Sequence, residues 1–190
     1  MKRYTFKYNI QKEKIENTLI LFYMSISQTN LFTNTIVYPW LKAISAVADG
    51  NNVIGNKGSL PWNYPKEYQF FCDTTKGHQL VYGKKTYQSG FIPEHSKLYV
   101  LSSQLNPTDD AIIIKNINEI EKPPENETLW VCGGQNVYSV FLPFCSELYI
   151  SHIHGHFDGD TFFPEFKNLF HKKKVIYDCP EYTTVIYEHN

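Results

Sequence analysis

Arginine is almost missing from this sequence. Arg3 is the only one among 190 residues. Lysine carries its charge on a flexible stem, without the planar fork with which a guanidinium holds a carboxylate at two points. Two-point clamping of a carboxylate is therefore excluded at every position after Arg3, and cationic contacts fall to lysine and histidine.

A strong net charge, a long apolar run and paired cysteines are missing too. The formal net charge of −1 leaves no basic surface for a polyanion, so we expect no nucleic-acid partner. The apolar run at residues 19–24 is far shorter than the ~20 residues that span a bilayer, so we expect no membrane segment. The four cysteines form no C-x-x-C pair, which predicts reduced thiols, a cytoplasmic protein and no metal site.

Strand and helix patterns alternate along the chain. They predict an α/β protein with a mostly parallel central sheet, helices on both of its faces and a C-terminal antiparallel hairpin. The nearly continuous apolar run 41–48 indicates a buried strand, and the Gly- and Asn-rich segment 49–62 indicates a loop. We expect helices at 65–75, 84–88 and 135–141, and further strands at 79–83, 97–102, 111–114, 128–132, 148–153, 175–177 and 183–187.

A tryptophan and a glutamate flank a proline-rich stretch, from Trp62 to Glu67. Pro65 suits the first turn of a helix, because its missing N–H would be unpaired there in any case. Glu67 then lies in that turn, on the same face as Phe70 and Phe71. A carboxylate on an apolar face is costly to bury without a partner, so the pattern indicates a site for a ligand with several N–H donors. The alternative is that Glu67 only complements the helix dipole.

Two predicted strands end in glycine directly before a predicted helix. One carries Gly83-Lys84-Lys85-Thr86 and the other Gly133-Gly134. Glycine lets a ligand approach the backbone, and N–H groups at a helix start bind phosphate. Both segments therefore predict phosphate-binding turns. The alternatives are a plain turn at the glycine pair and a solvated turn at the lysine pair.

In their order and spacing, these motifs resemble those of the dihydrofolate reductase family from about residue 41 onward. The resemblance implies a single-domain dihydrofolate-reductase-like fold and an NADPH-dependent oxidoreductase of one-carbon metabolism. It implies reduction of 7,8-dihydrofolate to tetrahydrofolate, by hydride transfer to C6 and protonation at N5. The matching segments are Val53-Ile54-Gly55, Trp62 to Glu67, Gly83 to Thr86, Val131 to Tyr138, and Gly159-Asp160-Thr161.

The resemblance also implies the role of each matched residue, and it implies a cis peptide bond at Gly133-Gly134 and a contact from Asp160 to segment 49–62. The implied catalytic residues are Glu67, Trp62, Tyr138 and Ser151. The implied substrate contacts are Ala46, Glu67, Tyr68, Phe71, Lys97, Cys132 and Ser151. The implied NADPH contacts are Ala46, Ile54, Gly55, Leu60, Gly83, Lys84, Lys85, Thr86, Ser102, Ser103, Cys132, Gly133, Gly134, Gln135, Asn136 and Val137.

The departures from the family pattern concern the substrate. The family carries an arginine that clamps the α-carboxylate of the folate tail, and its position here is Ser96, with Lys97 as the nearest replacement. Tyr68 and Cys132 stand where aliphatic residues are usual, and the predicted C-terminal hairpin is short. These departures leave open a reductase of the same fold that acts on another pterin or on a riboflavin-pathway pyrimidine. A catalytically silent pterin-binding protein is a third alternative, which the intact Glu67 and cofactor motifs disfavour.

Residues 1–40 lie outside the resemblance. We interpret them as an N-terminal extension, either a poorly ordered tail or the result of an upstream start with translation beginning at Met24. Residues 41–190 then form the dihydrofolate-reductase-like domain. We expect it to act as a monomer on a small-molecule pterin.

Overall fold

The computed structural model describes residues 36–190 of the chain. Its helices are α1 (Pro65–Thr75), α2 (Lys84–Gln88) and α3 (Gln135–Phe141), with 3-10 turns at Ile117–Glu119 and Leu142–Phe144. Its strands are β1 (Tyr38–Ala48), β2 (Val53–Gly55), β3 (Gln79–Gly83), β4 (Lys97–Leu101), β5 (Ile112–Ile114), β6 (Leu129–Val131), β7 (Cys145–Ile153), β8 (Thr161–Phe162), β9 (Phe170–Asp178) and β10 (Tyr182–His189). The predicted extension at residues 1–40 lies almost wholly outside the described residues.

One sheet of eight strands, in the order β5-β4-β3-β6-β1-β7-β10-β9, forms the centre of this part of the chain. The strands from β5 to β7 in that order run parallel. β10 and β9 complete the sheet as an antiparallel pair, and β2 pairs with β8 in a separate small sheet. The predicted α/β fold, with a mostly parallel sheet and a C-terminal antiparallel pair, is confirmed.

Apolar side chains pack on both faces of the large sheet. On one face, Phe70 and Phe71 of α1 lie against buried residues such as Ile44 and Leu80. On the other face, α3 packs its buried Phe141 into the larger core layer. Because successive side chains of a strand point to opposite faces, the parallel strands supply both layers, which explains their continuous apolar runs. The helices lie on both faces, as predicted.

Three predicted boundaries differ from the structure. β1 begins at Tyr38, which pairs with Cys145 beyond a register shift, so the predicted domain start at residue 41 falls inside this strand. Segment 49–62, predicted as a loop, contains β2, whose three residues are too few to show a period. The C-terminal hairpin is not short: β9 has nine residues and β10 has eight. Most of β9 could not be recognised in the sequence. Both of its faces are exposed, so its lysine-rich sequence does not alternate between apolar and polar residues.

The carboxyl ends of β1, β3, β4 and β6 lie at one edge of the sheet. In parallel α/β sheets, ligands bind in the crevice outside this edge. The sheet order therefore brings segment 49–62, both glycine turns and the residues after β4 to one place, although they are far apart in the sequence.

Three further findings concern the thiols, metal ligands and helices of residues 36–190. The four cysteines, Cys72, Cys132, Cys145 and Cys179, are all free thiols. No group of three His, Cys, Asp or Glu side chains suited to a metal ion occurs in this range. No helix in the same range has the length and apolar character needed to cross a membrane.

Candidate active site

Glu67 lies in the first turn of α1, as predicted. Pro65 begins the helix, and the Glu67 backbone N–H donates to the Tyr64 carbonyl at 3.0 Å. Phe70 and Phe71 pack the same face of the helix against the sheet, and this packing turns the carboxylate inward. Only 5% of Glu67 is exposed. The helix therefore holds a carboxylate in an apolar setting.

The Glu67 carboxylate pairs with no lysine or histidine in the described part of the chain. Burial raises the pKa of this carboxyl above its usual range, and the nearby Ser151 hydroxyl offsets the rise only in part. An ionised carboxylate is costly to bury without a cation. Glu67 therefore holds a proton more readily than an exposed glutamate does.

Ser151 of β7 carries the hydroxyl that lies near Glu67. The strand register sets Ala46 of β1, Ser151 of β7 and Thr184 of β10 side by side. Ser151 and Thr184 are both buried, and their hydroxyl oxygens are 3.2 Å apart. The sequence predicted Ala46 and Ser151 but missed Thr184, because the pattern of β10 does not show which residue of β7 it faces.

Trp62 is buried beside the segment that follows β7. Its indole packs edge-on against Phe157, with ring centroids 5.2 Å apart. The indole Nε1 is buried and has no hydrogen-bond partner among residues 36–190. Since buried N–H groups rarely stay unpaired in proteins, this indole offers a donor to a bound ligand or water.

Tyr138 of α3 is anchored to the first strand of the sheet. Its hydroxyl donates a hydrogen bond to the Ile44 carbonyl at 2.8 Å, and burial raises the pKa of the phenol. Gly133, with φ of +104°, leaves room for the ring: a Cβ there would lie 3.1 Å from it. Tyr138 therefore ties α3 to β1, and Glu67 remains the acidic group at the cleft.

The two glycine turns meet at the sheet edge. The Gly83 N–H donates to the Gly133 carbonyl at 2.7 Å, and the Gly133–Gly134 peptide bond is cis, as the resemblance implied. A Cβ at Gly83 would lie 2.9 Å from Val137 Cγ2, and one at Gly134 would lie 3.4 Å from Thr86 Oγ1. Glycine at these positions therefore lets the starts of α2 and α3 pack closely together, where their backbone N–H groups can meet a cofactor phosphate.

Lysine and serine side chains extend this surface beyond β4. The Lys84 ammonium donates to the Gln104 side-chain oxygen at 3.1 Å. The Ser102 hydroxyl accepts the backbone N–H of Gln104 at 3.1 Å, which folds the chain back toward α2. Ser103 and Lys85 are exposed beside it. The structure thus brings together one positive charge and the hydroxyl-bearing turn, as the sequence predicted for a phosphate contact.

Two further predicted cofactor residues lie at the start of α3. Gln135 and Asn136 are exposed there, directly after the glycine pair. Gln135 also accepts the backbone N–H of Phe162 in β8 at 3.0 Å. This contact connects the glycine turn to the small β2–β8 sheet.

Segment 49–62, which we call the lid segment, is anchored by Asp160. The Asp160 N–H donates to the Gly55 carbonyl at 3.1 Å, and its carboxylate accepts the Lys57 N–H at 3.1 Å. Asp160 therefore contacts the lid segment, as the resemblance implied. Within the segment, Ile54 is half-buried and Leu60 is exposed.

Aromatic side chains line the outer end of the α1 face. The Tyr68 ring lies 6.2 Å from that of Phe71 and edge-on to that of Phe91 at 6.3 Å. Tyr68 and Phe91 are both exposed. Cys132, at the end of β6, belongs to the buried layer that Phe71 covers. The structure thus places Tyr68, Phe71 and Cys132 on the side of the sheet that carries Glu67, together with Phe91, which the sequence did not single out.

Lys97 is not on that side, contrary to the predicted substrate contact. Its ammonium pairs with Glu121 at 3.0 Å and lies over the Tyr99 ring. Tyr99 belongs to the core layer of α3, so the alternation along β4 turns Lys97 away from α1. Ser96, at the position of the missing arginine, donates its hydroxyl hydrogen bond to Glu127 at 2.6 Å. Neither residue offers a clamp to a ligand above α1.

Glycine turns at two helix starts, together with a buried carboxylate at the carboxyl ends of parallel strands, are typical of an α/β oxidoreductase that uses a nucleotide cofactor. The family model described as dihydrofolate reductase matches residues 40–182. The chain therefore belongs to the dihydrofolate reductase family.

Individual relatives agree with this family. The chain is 33% identical to dihydrofolate reductase of Staphylococcus haemolyticus over 132 residues, which cover 67% of this chain and 80% of that relative. It is 36% identical to the enzyme of Mycoplasma pneumoniae over 132 residues, covering 64% and 81%. Among solved structures, dihydrofolate reductase from Enterococcus faecalis, complexed with NADP(H) and RAB-propyl, aligns with a TM-score of 0.67 at 29% identity, covering 81% of this chain and 99% of that one.

These comparisons confirm the predicted family, the oxidoreductase class, the reduction of dihydrofolate and NADPH as the cofactor. The alternative, a reductase of another pterin or of a pyrimidine, is not favoured. The individual residue roles are a separate matter, because they depend on the geometry of this chain.

Proposed function

We propose that Glu67 is the proton-handling group of a cleft in which 7,8-dihydrofolate is reduced to tetrahydrofolate with NADPH. The observation that carries this assignment is a buried carboxyl with a hydroxyl partner, no cation beside it and a raised pKa. General acid–base groups work best when their pKa lies near the working pH. Burial moves the Glu67 pKa in that direction.

The substrate is held through the same carboxylate. Its two oxygens accept hydrogen bonds from the 2-amino group and the adjacent ring N–H of the pterin, which replaces the missing cation by a fork of donors. Ala46, next to Ser151 in the sheet register, is small enough to let a flat ring lie against β1. Phe71 closes the opposite side from α1, with Tyr68 at the exposed end.

The part of the sheet edge formed by the turns at Gly83 and Gly133–Gly134, which we call the glycine edge, fits a dinucleotide cofactor. NADPH, when bound, supplies the hydride that is transferred to C6 of the pterin. Glycine at 83 and 134 lets these strand ends lie close to Val137 and Thr86, and the helix starts beside them offer backbone N–H groups to the cofactor phosphates. Thr86 and the start of α2 face its pyrophosphate, and Lys84 lies where an additional 2′-phosphate is recognised by charge.

Glu67 promotes protonation at N5, which neutralises the charge that hydride transfer leaves on the ring. The unpaired indole N–H of Trp62 provides a second polar contact inside the cleft. The lid segment, anchored through Asp160, excludes bulk water while the reaction proceeds. The chain thus supplies orientation, a proton-holding group and a dry site, while the cofactor supplies the reducing equivalents.

Turnover with two substrates tests this function. We expect NADPH oxidation with 7,8-dihydrofolate, measured by the loss of NADPH absorbance, and slower oxidation with 7,8-dihydrobiopterin under the same conditions. Glu67→Gln is the matched control, because it keeps the shape of the side chain and removes the carboxylate. Faster turnover of dihydrobiopterin, or none of dihydrofolate, would contradict the proposal.

We further propose that the chain works as a monomer in a reducing compartment. The exposed outer strand β9 carries Lys172, Lys173 and Lys174 in succession, and lysines on an edge strand oppose pairing with another sheet. The free cysteines agree with a reducing environment. Light scattering coupled to size-exclusion chromatography tests the oligomeric state, and a dimer mass at micromolar concentration would refute this part.

A further inference from the structure

Thr184 is a buried polar residue that the reaction as described does not use. It is 0% exposed, and Ser151 is 2% exposed. Their hydroxyl oxygens lie 3.2 Å apart at directly paired positions of β10 and β7. Ser151 lies on the face of the sheet that α1 covers, two residues after Tyr149 of the same layer, and it is near enough to Glu67 to influence that carboxyl. Thr184 thus neighbours Ser151, and Ser151 neighbours Glu67; we call these three buried polar side chains, from three separate elements, the hydroxyl line.

The chemistry of the end group fixes the direction of the hydrogen bonds along this line. An ionised carboxylate can only accept, so the Ser151 hydroxyl can serve Glu67 only as a donor. The Ser151 oxygen is then free to accept, and Thr184 donates to it. When Glu67 is protonated, it can donate to Ser151, which then donates to Thr184. The two hydroxyls can therefore reverse the direction of their hydrogen bonds to suit either protonation state of Glu67. The ionised state requires Thr184 to be the donor to Ser151.

We propose that Thr184 is a positioning residue, which holds the Ser151 hydroxyl toward Glu67 and thereby supports the ionised carboxylate. This inference rests on the proposed role of Glu67. Hydrogen bonds in such a chain polarise one another, so removal of the outer one weakens the inner one.

Other titratable groups do not obscure the effect. Those that couple electrostatically to Glu67 are Tyr138 from α3 and Tyr182 from β10. Burial raises the pKa of Tyr138, and burial together with Tyr177, Cys179 and Glu67 raises that of Tyr182 to about 12. Both phenols stay neutral between pH 5 and 9, so a titration at this site in that range reports Glu67.

The test compares Thr184→Val, which keeps the shape and removes the hydroxyl, with Thr184→Ser, which keeps the hydroxyl. Two readouts apply: the pH profile of single-turnover hydride transfer, and the NMR titration of the Glu67 side-chain carbon in the protein with NADPH bound. We expect Thr184→Val to move both midpoints upward by roughly half a pH unit, the size of a partly lost neutral hydrogen bond. Thr184→Ser should keep the wild-type midpoints, and KM for NADPH should not change in either variant.

The same substitution in a Ser151→Ala background separates positioning from a general structural effect. If Thr184 acts through Ser151, Thr184→Val adds no further shift once Ser151 is alanine. An equal shift in both backgrounds, or no shift in the Thr184→Val single variant, would overturn the proposal. If Thr184→Val does not fold, Thr184→Ala removes the same hydroxyl and is judged by the same criteria.

Failure of this inference is distinguishable from failure of the proposed function. The NMR midpoint of Glu67 does not depend on turnover, so it tests the hydroxyl line even if Glu67→Gln proves fully active. Conversely, an inactive Glu67→Gln together with an unmoved midpoint in Thr184→Val would refute the positioning role alone.

Discussion

Replacing Glu67 by glutamine separates the chemistry of the carboxyl from its shape. Glutamine fills the same space at the start of α1 but can neither ionise nor return a proton. Proton transfer by a positioned side chain contributes about 10²- to 10⁴-fold to the rate, and Glu67 is the only buried carboxyl in the described chain. We therefore expect Glu67→Gln to lower single-turnover hydride transfer by about that factor at pH 7. The loss should shrink at lower pH, where solvent protonates the substrate.

Stopped-flow measurement of hydride transfer from NADPH to dihydrofolate between pH 5 and 9 tests this expectation. The control is the Kd for NADPH, which should remain unchanged because Glu67 does not face the glycine edge. A rate within a few-fold of wild type at pH 7 would refute the assignment. A pH-independent loss would show that Glu67 only orients the pterin.

The substitution that lowers activity should, in contrast, increase the stability of the fold. Burial raises the folded-state pKa of Glu67 above 4.5, the ordinary value of a glutamate. Its contribution to stability is therefore fully present below that value and is lost as the pH rises through the folded pKa. Glutamine does not suffer this loss. Glu67→Gln should raise the free energy of unfolding at pH 7 in urea titrations, and the gain should vanish near pH 4.

The remaining predictions concern the cofactor, the lid segment, binding of the substrate tail and the domain boundary. Lys84→Ala should cost NADPH about tenfold or more in affinity while leaving NADH unaffected; the exposed neighbour Lys85→Ala is the control, and equal effects on the two cofactors would contradict the assignment. Gly159→Ala should destabilise the fold by about 1–3 kcal/mol in urea unfolding, because its Cβ would lie 2.7 Å from a backbone oxygen of β2; an unchanged midpoint would be the contrary result. Lys97→Ala should leave KM for dihydrofolate nearly unchanged, whereas a large, salt-sensitive rise would reveal a clamp on the substrate tail. A protein that begins at Met24 should keep normal turnover, and loss of soluble protein would mean that the extension is part of the domain.

The parts of the site that were predictable from the sequence depend on local signals. Pro65 fixes where α1 begins, and the spacing to Phe71 fixes the face that Glu67 shares. Each glycine turn combines a strand end, a glycine and a helix start within a few residues. Such signals act over one or two helical turns, so a single sequence is enough to show them.

The parts that could not be predicted depend on pairing between distant segments. Thr184 meets Ser151 only through the register of β10 on β7, and β2 exists only because β8 pairs with it. Lys97 lies on the face of the sheet away from α1, because side chains alternate between the two faces along β4. Its spacing from the position of the missing arginine does not reveal which face this is. Strand register depends on the whole core, and local composition leaves it undetermined.

Two glutamates near the central strands show how the fold assigns function by environment. Glu147 lies on the same strand and face as Ser151, and it pairs with Lys42 and Lys173 at 2.8 Å each. Burial alone would raise its pKa, but the hydrogen bonds from the two lysines outweigh burial and lower it. Glu67, with a hydroxyl line in place of lysines, has its pKa raised. The first glutamate is therefore fixed as an anion that stabilises the sheet, and only the second can exchange a proton with a substrate.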